Sequence, residues 1–278
     1  MNASNRPGPG FRRAWHEAGP ARHPARLAGA LVLAVVAALA ALSVLPARWT
    51  LAWVPETAPV MVTDAQGSLW SAQASLAVGT GPLRRSLSEP LHWRLTWANG
   101  PRLVLSHAWL LNPVEIRPAW GGLRISGQTL RVPATVLTTL HAMFNTLEPG
   151  GEFLLQWPDL VVGRDGPQTA PGQPLLLARW RDARSSVSRV APLGDYRLSV
   201  EAAAGPETAY TLKLKTDAGP LRLEGSGTWT PDGLLRFEGK ARPDESAPIE
   251  TQAALRRLLD ILGPAAGPDG ATPLRMYS

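Results

Sequence analysis

The sequence predicts a mainly β protein with a single N-terminal transmembrane helix. After the helix we expect an antiparallel, curved β-sheet or sandwich that carries two short helices. Residues 27–45 form one uncharged, apolar run. After about Trp49, apolar and polar residues alternate in short segments, as in strands that bury one face. The 26 Gly and 27 Pro residues supply many turns and argue against a helical bundle.

The apolar run 27–45 is long enough to cross a bilayer. At ~1.5 Å per residue it spans ~28 Å, close to the ~30 Å hydrocarbon core. A cleaved signal peptide is the alternative. It is disfavoured because its apolar region is usually ~7–15 residues and because Leu45-Pro46-Ala47 is a poor cleavage site. Trp49 and Trp53 follow, where an interfacial aromatic belt would lie.

Charge is distributed unevenly along the chain, whose formal net charge is +6. Residues 1–26 hold five Arg and one Glu, a net +4, and residues 27–278 hold 23 basic and 21 acidic residues, a net +2. This predicts a basic cytoplasmic tail over 1–26 and a periplasmic location for the rest. No basic cluster with stacking aromatics is present, so nucleic acid is not an expected partner. Cysteine is absent, which excludes disulfides and thiolate metal sites.

The periplasmic domain is predicted over residues 46–263. Its clearest strand places Leu91, Trp93, Leu95 and Trp97 on one face, with polar residues between them. Further strands are predicted at Arg102–Ala108, Leu123–Val132, Glu152–Trp157, Leu175–Trp180, Tyr196–Glu201, Tyr210–Thr216, Leu221–Trp229 and Leu234–Ala241. The apolar face of the predicted sheet must be shielded from water. The sheet could curl on itself, stack as a sandwich or leave a hydrophobic groove.

Two segments have helical periodicity. Ala134–Leu147 and Ala253–Leu262 place leucines at helical spacing, and Gly263 predicts the end of the second helix. Gly163–Pro174 is predicted to be a long mobile loop that could separate two halves of the β region. Residues 264–278 are predicted to be a flexible tail.

Motifs for catalysis or cofactors are missing. The five His lack zinc-ligand spacing, and no phosphate-binding glycine loop or nucleophile elbow occurs. We therefore expect no enzyme activity, no cofactor and no metal. The eleven Trp residues have two interpretations. They are either buried at strand ends, or they line an interface or a groove that contacts lipid.

An ordered set of short elements across residues 25–270 resembles the protein N family of the bacterial type II (general) secretion pathway. The elements are G-S-L-W at 67–70, L-x-W-x-L at 91–95, W-x-D-A at 180–183, P-L-G-x-Y at 192–196 and G-P-L-x-L-x-G-x-G-x-W at 219–229. The family has no catalytic residues to transfer, so its motif positions are interpreted as structural. They are Gly67, Trp70, Trp93, Trp180, Pro192, Gly194, Tyr196, Gly219, Gly225, Gly227 and Trp229.

The resemblance implies an inner-membrane accessory component of the secretion machine that acts in export of folded proteins across the outer membrane. Its implied partners are the inner membrane, the secretin and the inner-membrane platform proteins, and lipid contact is compatible with it. The alternative hypothesis is an AsmA-like periplasmic protein of lipid handling or envelope biogenesis, with an apolar groove.

Overall fold

The computed structural model describes residues 46–47, 60–79, 84–139, 143–164, 166–170, 172–203, 210–230, 234–262, 267 and 270–277. The predicted tail 1–26 and transmembrane helix 27–45 lie outside these residues. None of the helices in the described part combines the length and apolar character that a membrane span requires. The described chain consists mainly of antiparallel strands in two sheets with few helices, which confirms that part of the predicted fold class.

The first sheet has nine strands within the described residues. Their order is β1-β2-β4-β5-β6-β7-β10-β11, and β3 pairs with β2 outside this path. The strands are β1 (Val60–Ser68), β2 (Ser71–Val78), β3 (Arg85–Ser86), β4 (Leu91–Thr96), β5 (Arg102–Ser106), β6 (Val114–Ala119), β7 (Gly122–Ile125), β10 (Leu160–Gly163) and β11 (Gly166–Gln168). On its apolar face, Leu95 pairs with Leu103 and Leu103 with Ile116, as the alternation predicts.

The second sheet has eight strands in the order β8-β9-β12-β13-β14-β15-β16-β17. The strands are β8 (Gln128–Pro133), β9 (Gly150–Trp157), β12 (Leu176–Arg184), β13 (Gly194–Ala202), β14 (Tyr210–Ala218), β15 (Leu221–Trp229), β16 (Leu235–Pro243) and β17 (Thr272–Tyr277). From β12 onward each strand pairs with the next one in the chain. This part of the sheet is therefore the predicted meander.

Backbone hydrogen bonds join the two sheets. The connection between β5 and β6 runs along β8, the edge strand of the second sheet, where Leu110 and Leu130 form an isolated bridge. The Leu111 amide donates to the Thr129 carbonyl at 3.1 Å, and the Arg131 amide donates to the Trp109 carbonyl at 2.7 Å. These bonds pair part of the β8 edge, which would otherwise expose its backbone groups.

The prediction of one strand over Leu123–Val132 is wrong. The segment contains two strands, β7 and β8, and they belong to different sheets. Two hydrogen bonds stabilise the residues between β7 and β8. The Gly127 amide donates to Asp159 Oδ1 at 2.7 Å, and the Trp157 indole donates to the Ser126 carbonyl at 3.1 Å. Because these partners satisfy the backbone groups at the break, the chain can leave one sheet and enter the other.

The division into halves near 163–174 does not match the sheets. β8 and β9 precede this segment but lie in the second sheet, whereas β10 and β11 lie in the first. The predicted mobile loop Gly163–Pro174 is also wrong in part, because β11 pairs with β10 as a short hairpin. The strand was not predicted because it has only three residues and because the Gly and Pro residues of this segment are typical of turns and loops.

The prediction of a flexible tail over 264–278 is wrong for β17. This strand pairs with β16 over six residues, from Ala241–Thr272 to Arg236–Tyr277. Thr272 is buried and Leu274 packs against the core of the second sheet. Pro273 weakens the sequence signal for a strand here. Pro is nevertheless tolerated in edge strands, and β17 lies at the edge of the second sheet.

The predicted helix Ala134–Leu147 has two described parts. A 3₁₀ helix covers Ala134–Thr139, and helix α1 covers Met143–Leu147. In the 3₁₀ helix, the Thr138 hydroxyl donates to the Thr135 carbonyl, and the Thr139 hydroxyl donates to the Val136 carbonyl. Such bonds offer the backbone an alternative to a regular α-helix.

Helix α2 (Ile249–Leu262) confirms the predicted C-terminal helix, although it begins four residues before Ala253. Its leucines Leu255, Leu258 and Leu259 are buried against the second sheet. The cluster that they form with the strands also contains Ala183, Leu193, Tyr196, Leu221 and Ala241. The main described core therefore lies between α2 and one end of the second sheet.

Replacing Leu255 with Ala should destabilise the domain strongly. Leu255 is 0% exposed, so the change leaves a cavity and should lower the free energy of unfolding by roughly 2–5 kcal/mol. Denaturant unfolding of the full chain in detergent measures the effect. The control is Arg256→Ala on the exposed side of α2, expected within about 0.5 kcal/mol of the parent. Equal effects of the two substitutions would contradict this packing.

Candidate functional site: a corner of the second sheet

Three of the sequence elements meet at one corner of the second sheet, which we call the motif corner. It comprises Trp180–Ala183 in β12, Pro192–Tyr196 at the start of β13, and Gly219–Leu221 before β15. The Leu193 amide donates to the Ala183 carbonyl at 2.7 Å, and the Leu221 amide donates to the Leu193 carbonyl at 3.0 Å. Two consecutive backbone hydrogen bonds thus link three segments that are distant in the sequence.

A bulge in β12 shapes the first side of the motif corner. The pairing of β12 shifts register between Trp180 and Ala183, and Asp182 has a φ of 49°. The Asp182 amide leaves the ladder but donates to Asp195 Oδ1 at 2.7 Å. Because its amide has this partner, Asp182 can occupy the bulge while Ala183 turns fully inward, with 0% exposure.

Two glycines allow the backbones to approach closely at the motif corner. A Cβ on Gly219 would lie 2.3 Å from the Cα of Gly194, and a Cβ on Gly194 would lie 2.6 Å from the Ala218 carbonyl oxygen. Both residues also have positive φ, 114° and 155°. Only glycine accommodates this combination without strain. The Ala191–Pro192 peptide bond beside them is cis.

Aromatic side chains fill the inner side of the motif corner. The Trp180 ring stacks on Phe153 with centroids 5.1 Å apart and packs against Tyr196 at 5.9 Å. The Trp180 indole donates to the Gly150 carbonyl at 2.9 Å, and the Tyr196 hydroxyl donates to the Leu221 carbonyl at 3.2 Å. Burial, followed by the nearby Asp195 charge, raises the pKa of Tyr196 above its ordinary value. Tyr196 is therefore a neutral structural donor at physiological pH.

An ionic contact holds the outer side of the corner. Arg222 donates to the Asp244 carboxylate, and the Asp244 amide donates to the Pro220 carbonyl at 2.7 Å. The pKa of the Asp244 carboxyl is lowered, first by the hydrogen bond from the Ser246 amide and then by Arg222. The link ties the end of β16 to the turn that contains Gly219.

An apolar cavity of about 320 Å³ lies between the motif corner and α2. Its walls are predominantly apolar and include Trp180, Leu193, Tyr196, Leu258 and Leu274. The size is at the lower end of ligand pockets, which are roughly 300–1,000 Å³. Its polar lining comes from Arg184, Ser185, Tyr196 and Thr272, and the lining includes no His, Asp or Glu that could serve as a general base. The arrangement is suited to packing and shape.

The described residues include no group of three or more His, Cys, Asp or Glu that could hold a metal ion. His107 Nδ1 accepts a hydrogen bond from the Trp109 amide at 3.1 Å. Its Nε2 lies 3.1 Å from the Glu89 carbonyl oxygen. His107 thus has a local structural role in the described structure.

A second group of motif residues lies in the first sheet, away from the motif corner. Gly67, the second-to-last residue of β1, has a φ of 106°, and a Cβ there would lie 2.6 Å from the Ser71 carbonyl oxygen. The Trp93 indole donates to the Leu69 carbonyl at 3.0 Å, and the Leu95 amide donates to the Trp70 carbonyl at 2.7 Å. Gly67, Trp70 and Trp93 thus fasten the β1–β2 turn to β4.

The last three motif residues lie along β15. Gly225 and Gly227 sit beneath the Phe237 ring of β16, where added Cβ atoms would lie 2.6 Å and 2.9 Å from ring carbons. From the sequence, these glycines could mark either a β-bulge or a close approach of another backbone or side chain. The pairing of β15 with β16 is unbroken, so there is no bulge between them, and the glycines allow the close approach of Phe237. Trp229 packs on Tyr210 with ring centroids 5.5 Å apart.

The structure therefore brings together Trp180, Pro192, Gly194, Tyr196 and Gly219, and places the other motif residues elsewhere. The motifs did not identify Phe153, Phe237 or the bulge at Asp182 as parts of these arrangements. Phe237 had a usable signal, because an aromatic residue opposite a Gly-x-Gly strand can lie over the glycines. The bulge at Asp182 had no signal in the sequence, because it depends on the register between β12 and β13.

Replacing Gly219 with Ala should test the close approach at the motif corner. We expect a loss of roughly 3 kcal/mol or more, because the methyl group would overlap Gly194 in addition to straining the backbone. The matched control is Gly100→Ala, where φ is also positive (96°) but nothing lies within 4 Å of the added carbon. It should lose only about 1 kcal/mol. Unfolding curves of the two variants give the comparison, and similar losses would refute the contact.

The Tyr196 hydroxyl predicts a pH effect on stability. Its pKa is raised on folding, so its contribution is complete below the unfolded phenol pKa of ~10 and is lost as the pH rises above that value. Above pH ~10 the parent chain should lose stability more steeply than Tyr196→Phe. At neutral pH the variant should be about 1 kcal/mol less stable, because it lacks the bond to Leu221. Parallel pH profiles for the two chains would disprove the effect.

Comparisons with known proteins identify the family. The model of the family "Type II secretion system (T2SS), protein N" matches residues 58–275. The chain is 27% identical to the type II secretion system protein N of Klebsiella pneumoniae, over 80% of this chain and 86% of that protein. It is 29% identical to the protein of the same name from Pectobacterium carotovorum subsp. carotovorum, over 85% of this chain and 90% of that protein. No solved structure matches the chain. Since the family model spans both sheets and the motif corner, the chain belongs to the type II secretion system protein N family.

Proposed function

We propose that the chain is an accessory or assembly component of the type II secretion system, anchored in the bacterial inner membrane. Its role is in the export of folded proteins across the outer membrane. The family match over residues 58–275 carries the proposal, because it includes almost all of the β-rich part. A structural role agrees with the motif corner, whose glycines, aromatic rings and leucines determine shape and supply no reactive groups.

The proposed anchor is residues 27–45, with residues 1–26 in the cytoplasm and the sheets in the periplasm. The arginines before the apolar run and the tryptophans after it support this topology. The net charge of +4 over residues 1–26, against +2 over residues 27–278, is the asymmetry expected when the N-terminus stays in the cytoplasm.

The proposed partners are the secretin and the inner-membrane platform proteins. Helix α2 packs against the inner side of the motif corner and covers it. We therefore expect the partner contacts on other surfaces, such as exposed turns and strand edges. The comparisons give no support to the alternative of an AsmA-like lipid-handling protein.

Deleting the gene should leave the secreted proteins in the periplasm while general export continues. Cell fractionation followed by assay of an exoprotein measures this, and a plasmid copy of the gene should restore release. A plasmid copy carrying Leu255→Ala should restore less, because the folded domain becomes less abundant. Normal exoprotein release in the deletion strain would contradict the proposal, and a leaky outer membrane in its place would favour an envelope role.

A reporter fused after Ser278 should be active only when it reaches the periplasm. Alkaline phosphatase, which needs an oxidising compartment, should be active in this fusion. A fusion after Arg26, before the apolar run, is the matched control and should be inactive. Activity of the Arg26 fusion and inactivity of the Ser278 fusion would overturn the topology.

A further inference from the structure

One end of the first sheet carries a tryptophan in each of three turns, and we call it the tryptophan end. The turn between β1 and β2 contains Trp70, the turn between β4 and β5 begins with Trp97, and the turn between β6 and β7 begins with Trp120. The register places them together: Ser71 pairs with Arg94, Thr96 with Arg102, and Ala119 with Gly122. The rings of Trp70 and Trp97 are 6.3 Å apart.

Two of these tryptophans project into solvent. Trp97 is 63% exposed and Trp120 is fully exposed, and Leu123 beside Trp120 is also exposed. Trp93 on the same sheet differs, because its indole donates to the Leu69 carbonyl. Exposed Trp is costly in water, whereas the layer between lipid headgroups and acyl chains accommodates both the apolar ring and its polar N–H.

A pair of arginines accompanies the exposed tryptophans. Arg117 on β6 and Arg124 on β7 lie directly opposite each other, and both are exposed. Within the described chain neither guanidinium has an ion pair, and the one acid on β6, Glu115, pairs with Arg102 at 3.4 Å. Like charges directly opposite on a sheet are destabilising. An anion placed between them would remove that repulsion, and phosphate is well matched to guanidinium.

The chain also enters the domain at the tryptophan end. Pro46 forms a bridge with Ser68, the last residue of β1. Pro46 is the first residue after the run 27–45 that we propose as the membrane anchor. On the proposed topology the chain leaves the membrane at Pro46, and the bridge from Pro46 to Ser68 lies at the tryptophan end.

We propose that the tryptophan end is a membrane-contact surface. Trp97 and Trp120 lie in the headgroup layer of the periplasmic leaflet, and Arg117 and Arg124 bind lipid phosphates. This inference rests on the proposed anchor, and it adds a second attachment that fixes the orientation of the first sheet against the membrane.

Site-directed spin labelling of the full chain tests this contact. The chain has no cysteine, so a single cysteine accepts the label alone. Ala98→Cys places it in the exposed turn beside Trp97, and Asn112→Cys places the control in the exposed β5–β6 connection at the opposite end. Both proteins are reconstituted in vesicles of phosphatidylethanolamine and phosphatidylglycerol. We expect the label at 98 to collide severalfold more with oxygen than with an aqueous nickel chelate, and the label at 112 to do the reverse.

Variants of the proposed contacts complete the test. The double change Trp97→Ser and Trp120→Ser should return the label at 98 to the aqueous pattern seen at 112. The double change Arg117→Gln and Arg124→Gln should reduce its protection from the nickel chelate. Both pairs alter exposed side chains, so the far-ultraviolet circular dichroism, which reports the strand content, should remain close to that of the parent.

Flotation of the same vesicles separates failure of the anchor from failure of the contact. If the chain floats with the vesicles but the label at 98 is aqueous, the membrane-contact proposal is wrong and the anchor stands. If the chain does not float, the anchor is wrong and the contact falls with it. Shielding of the label at 98 from both oxygen and nickel would mean contact with protein, and would also overturn the proposal.

Discussion

The close approach of Gly194 and Gly219 is the constraint on which the second sheet depends. Without side chains at these positions, the start of β13 and the turn before β15 come close enough for consecutive hydrogen bonds from Leu221 to Leu193 and from Leu193 to Ala183. That contact sets the distance between strands at the corner. It also orients Trp180, Tyr196 and Leu221 toward α2, whose leucines close the core.

The parts of the fold that were predictable from the sequence are those governed by local periodicity. Strict alternation identified β14 and β15, and leucine spacing identified α2. The exchange of strands between sheets was not predictable, because Leu123–Val132 has one apolar pattern while its two halves find different partners. β17 was missed for a related reason. Its pairing with β16 is tertiary, and Pro273 weakens its local signal.

For the candidate site, the sequence identified most of the residues but not their arrangement. Trp180, Gly194, Tyr196 and Gly219 were singled out through the family resemblance, yet nothing local shows that they meet. Their meeting depends on the bulge at Asp182 and on the register of β12 with β13. The site is consequently a property of the folded sheet. Its side chains pack and form hydrogen bonds, which agrees with the structural role that we propose.

Hydrogen exchange of the full chain in lipid nanodiscs tests most directly the claim that the motif corner is the stable centre of the domain. The account predicts that the amides of Leu193 and Leu221 exchange most slowly, because their hydrogen bonds break only when α2 and the sheet separate. It also predicts that the β1–β2 hairpin of the first sheet, with fewer buried side chains, exchanges faster. Exchange at the motif corner as fast as in that hairpin would contradict the account.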